Sequence, residues 1–402
     1  MVRPSRLGAF TFGIQIVWGA ILAVSLQARS DELSAGAGIA VYSIIAPIGA
    51  TLATIVQIVA GIASDGRRLR VGHRREFLVW GTAFSSVALV WFYLAPSLAQ
   101  FAGAFFLLQI ALNVATGPYQ AFIPDYVPPL RRGEASSWMS GWQSLGNALG
   151  LLVAGFVRDL RAVAAVLVVA LIATCAATLA HVRTLPTLRS ETSRFGLDRV
   201  FTTLLVSRGV VNLGFFTLLG FLFFFVQQSL GVNGNGAART QTALVFLTFT
   251  LAAIVGAVLA ARPSDRFDIR AVATVANAAI VVALVLLAGA QNLAVAYGAA
   301  ALAGTAWGAF FTADWALACA LLPRGAMATA MGVWNVATAG PQILAPLIAG
   351  RLVLFYNAIS PGLGPRVAVV LSLVEFALGT ALLWLLPATR AAQTPDGTEA
   401  VA

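Results

Sequence analysis

The chain has 402 residues, of which 59% are hydrophobic and only 10% charged, and it carries a net charge of +10 at pH 7. A soluble domain is about half apolar, so this composition excludes one and points to a bilayer, and apolar runs that are continuous and not alternating exclude a transmembrane barrel. The basic balance would suggest nucleic acid in a soluble protein, but every basic residue is arginine, and with spans alternating from a cytoplasmic N-terminus nineteen arginines fall on the cytoplasmic side and six on the other, a topology signal.

At about 20 residues per span, the sequence predicts twelve transmembrane helices, over 7–27, 38–64, 77–95, 98–127, 135–157, 163–182, 201–229, 240–262, 270–289, 292–322, 326–350 and 366–386. The first apolar stretch, from about Leu7 to Gln27, has no short apolar core leading to a small-residue cleavage site and is expected to be a span, not a leader. Residues 183–200 are the longest polar segment, rich in Arg, Ser, Thr and Pro, and are expected to be a cytoplasmic linker between a six-helix half at 1–182 and another at 201–388. Residues 389–402 have the composition of a disordered tail. The halves echo each other: Arg132-Gly133-Glu134 leading to Trp142-Gln143 recurs as Arg324-Gly325-Ala326 leading to Trp334-Asn335, and Asp65 with its arginines recurs more faintly as Asp265-Arg266. The expected fold is therefore all-α and integral to the membrane, two pseudo-symmetric six-helix bundles with both termini cytoplasmic.

Between the second and third spans lies Gly61-Ile62-Ala63-Ser64-Asp65-Gly66-Arg67-Arg68-Leu69-Arg70-Val71-Gly72-His73-Arg74-Arg75-Glu76-Phe77. An aspartate closing one span, followed by arginines and a glycine before the next, resembles the corresponding loop of major facilitator transporters. The glycine spacing is similar to the glycoside and sucrose cation-symporter branch, whose loop runs S-D-R, four residues, then G-R-R-R-P-F. Gly66, His73 and Glu76 depart from that pattern. The fourth span, with Asn113, Gly117-Pro118, Ala121 and Asp125, also resembles this branch, except that Gln109 and Gln120 stand where it has an aspartate and an arginine. The resemblance implies a substrate site between two halves near the bilayer midplane. It also implies a cytoplasmic gate of Asp65, Gly72, Arg74, Arg75, Asp125 and Arg132. The plainer alternative is that these arginines only set orientation.

An ionisable group inside the membrane is costly and is a functional candidate by default. Glu375, near the middle of the twelfth span, and Asp314, toward the end of the tenth, are candidates to carry a proton, and Arg208 lies about a turn inside the seventh. Amides, indoles and phenols at Gln15, Trp18, Tyr42, Asn113, Tyr119, Trp142, Gln143, Asn212, Trp334 and Asn335 are candidates to line a cavity, since they combine donors, acceptors and flat apolar faces. The alternative for each is interhelical hydrogen bonding or an interfacial position. His73 and His181 are far apart, and Cys175 and Cys319 have no partner at motif spacing, so neither a metal site nor a cofactor is expected. These features suit a monomeric secondary transporter of a small neutral solute, a sugar or glycoside, with protons as a possible second ion. The rivals are an exporter of amphipathic compounds, favoured by the phenylalanines of the seventh span, and a membrane sensor that binds without carrying.

Overall fold

A computed structural model of the chain describes residues 3–65, 73–120, 122, 126–128, 131–182, 199–321 and 327–388. After a short helical turn at Pro4–Leu7, the described residues form twelve long helices. These are α1 (Ala9–Leu33), α2 (Gly38–Asp65), α3 (His73–Leu94), α4 (Leu98–Gln120), α5 (Arg132–Phe156) and α6 (Leu160–Val182). The second six are α7 (Arg199–Ser229), α8 (Asn235–Arg266), α9 (Ile269–Ala288), α10 (Leu293–Leu321), α11 (Met327–Ile359) and α12 (Leu363–Leu383). Eleven are long and apolar enough to cross a membrane. The remaining one is α5, whose hydropathy is diluted by Ser136, Ser137, Gln143, Ser144 and Asn147. Large apolar side chains point outward, with Val258, Val275 and Leu385 each more than 70% exposed. In water such surface would be unfavourable; against lipid tails it costs nothing.

Two helices run further than the hydropathy suggests. α1 continues past Gln27 to Leu33 because its polar residues are satisfied inside the protein. Gln27 Nε2 donates to the Leu22 carbonyl at 2.7 Å, and Arg29 donates to the Ala95 carbonyl at 2.7 Å while pairing with Glu32. α11 likewise continues through Arg351 to Ile359. Both α1 and α7 contain a π-helical turn, at Ile21–Ser25 and Phe225–Ser229. The chain leaves α1 through Ala35 and Gly36, both in the left-handed region at φ 48° and 94°.

The arginines reveal a second use beside orientation. The last carbonyls of a helix have no partner within it, and the guanidinium, with five donors in a fixed fork, suits that negative end. Arg29 reaches Ala95 after α3, Arg75 reaches Val182 at the end of α6 (3.1 Å), and Arg239 reaches Ala154 near the end of α5 (2.6 Å). Arg366 reaches Ala288 at the end of α9 (2.7 Å) and Arg270 reaches Leu386 just after α12 (2.6 Å).

By packing, the chain divides into two compact units, residues 1–191, 219–247 and 342–362, and residues 192–218, 248–341 and 363–402. One boundary falls within 183–200, three cut α7, α8 and α11, and the last lies between α11 and α12. In the first unit α1 and α5 touch backbone to backbone: a side chain at Gly19, Gly146 or Gly150 would strike the main chain of Asn147, Phe12 or Ile16. Close approach through small residues is how membrane helices gain contact without a hydrophobic drive. The ends of α7 and α8 join this unit through polar bonds, Gln227 donating to Asp31 at 2.8 Å and Asn235 to the Ala28 carbonyl at 3.0 Å. In the second unit α8 and α10 use the same device, with Gly256 against Thr305, Gly304 against Phe249 and Gly308 against Ala253.

Candidate functional site

The second unit holds a buried charged cluster on three helices. Arg208 of α7 pairs through Nη1 with Asp314 Oδ2 of α10, their side chains 9% and 3% exposed. The contact is an ion pair and not a well-directed hydrogen bond, and Arg208 Nε has no hydrogen-bond partner. The guanidinium carbon lies 4.3 Å from the centre of the Trp334 ring of α11, a cation–π contact. Trp334 is 1% exposed, and its Nε1 is also without a partner. One turn along α7, Asn212 Nδ2 donates to the carbonyls of Arg208 (3.0 Å) and Ala337 (3.1 Å), which ties α7 to α11.

The same faces continue into an aromatic stack. Phe215 lies two turns after Arg208 on α7, Trp307 two turns before Asp314 on α10, and their rings stack at 4.6 Å and 15°. The two pairs share one antiparallel register, so α7 and α10 present a strip that is charged at one end and aromatic at the other. Phe249 of α8, Phe310 of α10 and Phe376 of α12 complete the aromatic end. Such a strip offers donors, an acceptor and flat apolar faces to one ligand.

Glu375 of α12 is 5% exposed, and its Oε2 has no hydrogen-bond partner; the hydroxyl of Thr217 on α7 and the side-chain amide of Asn277 on α9 are equally buried and unpartnered. α12 is held to α7 by Ser207 donating to the Gly379 carbonyl and Ser372 donating to that of Gly214, at 2.8 and 2.7 Å. These contacts place Glu375 about a turn from Arg208 along α7, and among the described residues it forms no ion pair, unlike Asp314.

In the first unit the polar residues are used differently. The Tyr119 hydroxyl accepts from the Thr11 backbone N–H (3.2 Å), meets the Thr11 hydroxyl (2.9 Å) and donates to the Leu7 carbonyl (3.1 Å), so it braces α4 against α1. Trp142 donates to the Ser5 carbonyl at 2.9 Å and meets Phe12 edge-on. Asn113 donates to the Gln109 carbonyl of its own helix at 2.8 Å. Tyr42 is buried against Phe221 and Phe224. Gln15 and Trp18 are half-buried and Gln143 is exposed.

Gly72, Asp125 and the side chains of Asp65, Arg132 and Asn335 lie outside the described residues, while Arg74 and Arg75 are half-buried at the start of α3. Among the described residues no group of three or more His, Cys, Asp or Glu is placed to hold a metal ion. His181 accepts from the Arg3 backbone N–H at 2.9 Å, and Cys175 is buried beside the Leu78 carbonyl. The Arg208–Asp314 partnership is what reading the residues one at a time missed. Its signal in the sequence was two opposite charges inside spans, each needing a partner.

Comparison with known proteins follows the same lines. A family model described as Major Facilitator Superfamily matches residues 7–346. A general alpha-glucoside permease of Schizosaccharomyces pombe is 26% identical over 166 residues, which take in 37% of this chain and 28% of the permease. The sucrose transport protein SUC3 of Arabidopsis thaliana is 26% identical over 160 residues, 34% of this chain and 26% of that protein. The chain thus matches less than a third of the length of either relative. Among solved structures, a bacterial homologue of the human lysosomal transporter Spinster, inward-facing and unoccupied, aligns with a TM-score of 0.70 at 17% identity, over 96% of this chain and 97% of that one. A variant of the nucleoside transporter NupG aligns with a TM-score of 0.72 at 11% identity, over 95% and 99%. At such identities the likeness is one of fold: an all-α membrane protein of the same architecture.

Proposed function

Because the chain belongs to the Major Facilitator Superfamily and is a membrane transporter, not an enzyme, we propose that it carries a small neutral solute, a sugar or glycoside, by alternating access between two six-helix halves joined at 183–200. The observation that carries the solute class is that the two curated relatives are named for an alpha-glucoside and for sucrose. The strip on α7 and α10 is consistent with it, since a sugar ring has an apolar face for Phe215 and Trp307 and hydroxyls for Arg208 and Asn212. The remaining amides and indoles, Gln15, Trp18, Gln143 and Asn335 among them, are candidates for the rest of the cavity wall. An exporter of amphipathic compounds would use the phenylalanines of α7 as a cavity wall; four of the six, Phe221, Phe223, Phe224 and Phe225, are each at most 1% exposed and serve packing, which leaves Phe215 and Phe216 for it.

The charged loop and its partners, Asp65, Gly72, Arg74, Arg75, Asp125 and Arg132, are proposed as the gate on the arginine-rich face, which the arginine count makes cytoplasmic. A cysteine at Ser190 is then expected to resist membrane-impermeant thiol reagents in intact cells, and efficient labelling there would reverse the topology. For transport, the decisive measurement is counterflow of labelled sucrose and alpha-glucosides in proteoliposomes. Wild type is expected to exchange at least one of them, and Asp65→Asn to exchange it far more slowly while still binding it, because the lost pairing distinguishes two conformations and leaves the cavity intact. Binding without counterflow would mark a sensor, and export of a cationic dye in place of a sugar would mark a drug exporter.

A further inference from the structure

Four side chains on three helices grip the backbone of the N-terminal turn and of the residues that follow it. Thr178 of α6 accepts from the Phe10 N–H at 3.1 Å and donates to the Arg6 carbonyl at 3.2 Å, and His181 of the same helix accepts from the Arg3 N–H at 2.9 Å. Trp142 of α5 donates to the Ser5 carbonyl, and Tyr119 of α4 to that of Leu7. Pro4 and Leu7 are buried, so the turn is docked across the ends of α4, α5 and α6. What it leaves outside is charge. Arg3 and Arg6 are exposed, and among the described residues neither guanidinium has a hydrogen bond or an ion pair.

Like charges gather at this place. Both arginines lie close enough to His181 for their charge to act on its ring, and Arg75 of α3 brings another guanidinium to the Val182 carbonyl, one residue on. The described acids on the elements packed here are Glu76, exposed in the first turn of α3, and Glu134 of α5, which is paired with Arg131 at 2.9 Å. A guanidinium presents its donors in a planar fork that matches phosphate. Two of them, fixed by a docked backbone and otherwise unengaged, form a receptor for a phosphate anion. The surface leading away from His181 suits an acyl chain: on α6, Ala173, Ala176, Ala177 and Ala180 are all exposed, small and apolar.

We propose that Arg3 and Arg6, set in place by Thr178 and His181, bind the phosphate of an anionic phospholipid, and that the bound lipid holds the N-terminal turn against α4, α5 and α6. The turn stands on the face that the arginine count makes cytoplasmic, where anionic lipids concentrate and basic pockets beside membrane helices take their head groups. The phosphodiester oxygens accept from the two guanidinium groups, and an acyl chain lies on the alanine face of α6. The anion offsets the repulsion that docking creates, so lipid binding and docking favour each other. Because the turn runs through Gly8 directly into α1, the lipid acts on the start of that helix as well.

The probe is short-chain phosphatidylglycerol, titrated into the purified protein in neutral detergent with thermal unfolding as the readout. Wild type is expected to show a saturable rise in unfolding temperature that short-chain phosphatidylcholine does not give. Two basic residues near an anionic surface are worth roughly thirtyfold in affinity, and Arg3→Gln with Arg6→Gln should raise the half-saturating concentration accordingly. Removing as much charge elsewhere, by Arg199→Gln with Arg266→Gln, should leave it unchanged. Thr178→Val takes away both bonds to the backbone of the turn without altering charge or size, and should weaken binding several-fold. If that variant does not fold, His181→Ala, which releases only the Arg3 N–H, takes its place. Equal half-saturation in wild type and the Arg3, Arg6 variant, an equal loss in the Arg199, Arg266 variant, or undiminished binding once the turn is released would overturn the proposal. So would an equal rise with glycerol phosphate, which has the charge of the head group and no acyl chain. No transported solute enters the measurement, so its outcome is independent of the glycoside reading.

Discussion

α4 and α10 are each the fourth helix of six along the chain, and they accommodate buried polar groups in opposite ways. On α4 the buried groups are neutral: Asn113 bonds to a carbonyl of its own helix and Tyr119 to the backbone of α1. On α10 the buried group is a carboxylate whose partner lies on another helix. A neutral amide or phenol can be satisfied by the nearest carbonyl, and the net contribution of such a bond is about 1 kcal/mol. A charge in the same setting needs a countercharge, so it commits two helices to each other.

The largest expected effect tests the charged side of this contrast. Arg208→Leu and Asp314→Leu each strand one buried charge and should destabilise the protein by roughly 3–5 kcal/mol, while the double variant should recover most of that loss. Thermal unfolding in detergent, run as a complete double-mutant cycle, gives the answer. A double variant as unstable as the two singles combined would mean that the pair is ordinary packing and that α10 does not differ from α4 in kind. A smaller effect is expected on the neutral side. Tyr119→Phe removes the donor to Leu7 and the acceptor for Thr11 without changing shape, and should cost about 1–2 kcal/mol with no change in the pH dependence of unfolding. A pH-dependent loss there would erase the distinction.

The sequence carried the twelve helices because each lipid-facing surface must be apolar, and that requirement repeats in every span. It carried the arginine-rich face for a similar reason, since orientation depends on a count and not on geometry. Three of the six arginines on the poorer side, Arg29, Arg239 and Arg366, are explained only by structure: each donates to a backbone carbonyl near a helix end. The site was harder to read. Asp314 and Trp334 stood out singly as polar or aromatic residues in apolar runs, but their meeting with Arg208 depends on how α10 and α11 align with α7, far apart in the chain, for which no local pattern exists. Tyr119 shows the converse: a residue type suited to a ligand is used here as a brace, because the backbone of α1 passes within its reach.

The π-helical turns in α1 and α7 have a consequence for how the chain can change length. An α-helix turns by about 100° per residue, so adding or losing one residue ordinarily swings everything beyond it onto another face. A π turn holds one surplus residue within an otherwise α-helical path. Ile21–Ser25 and Phe225–Ser229 are therefore places where each helix carries a spare letter. Beyond the first lie Gln27 and Asp31, and Gln227, which meets Asp31, sits inside the second. A helical wheel drawn straight through either turn assigns the residues after it to the wrong side, and a relative one residue shorter in either helix would differ from this chain in spelling more than in shape.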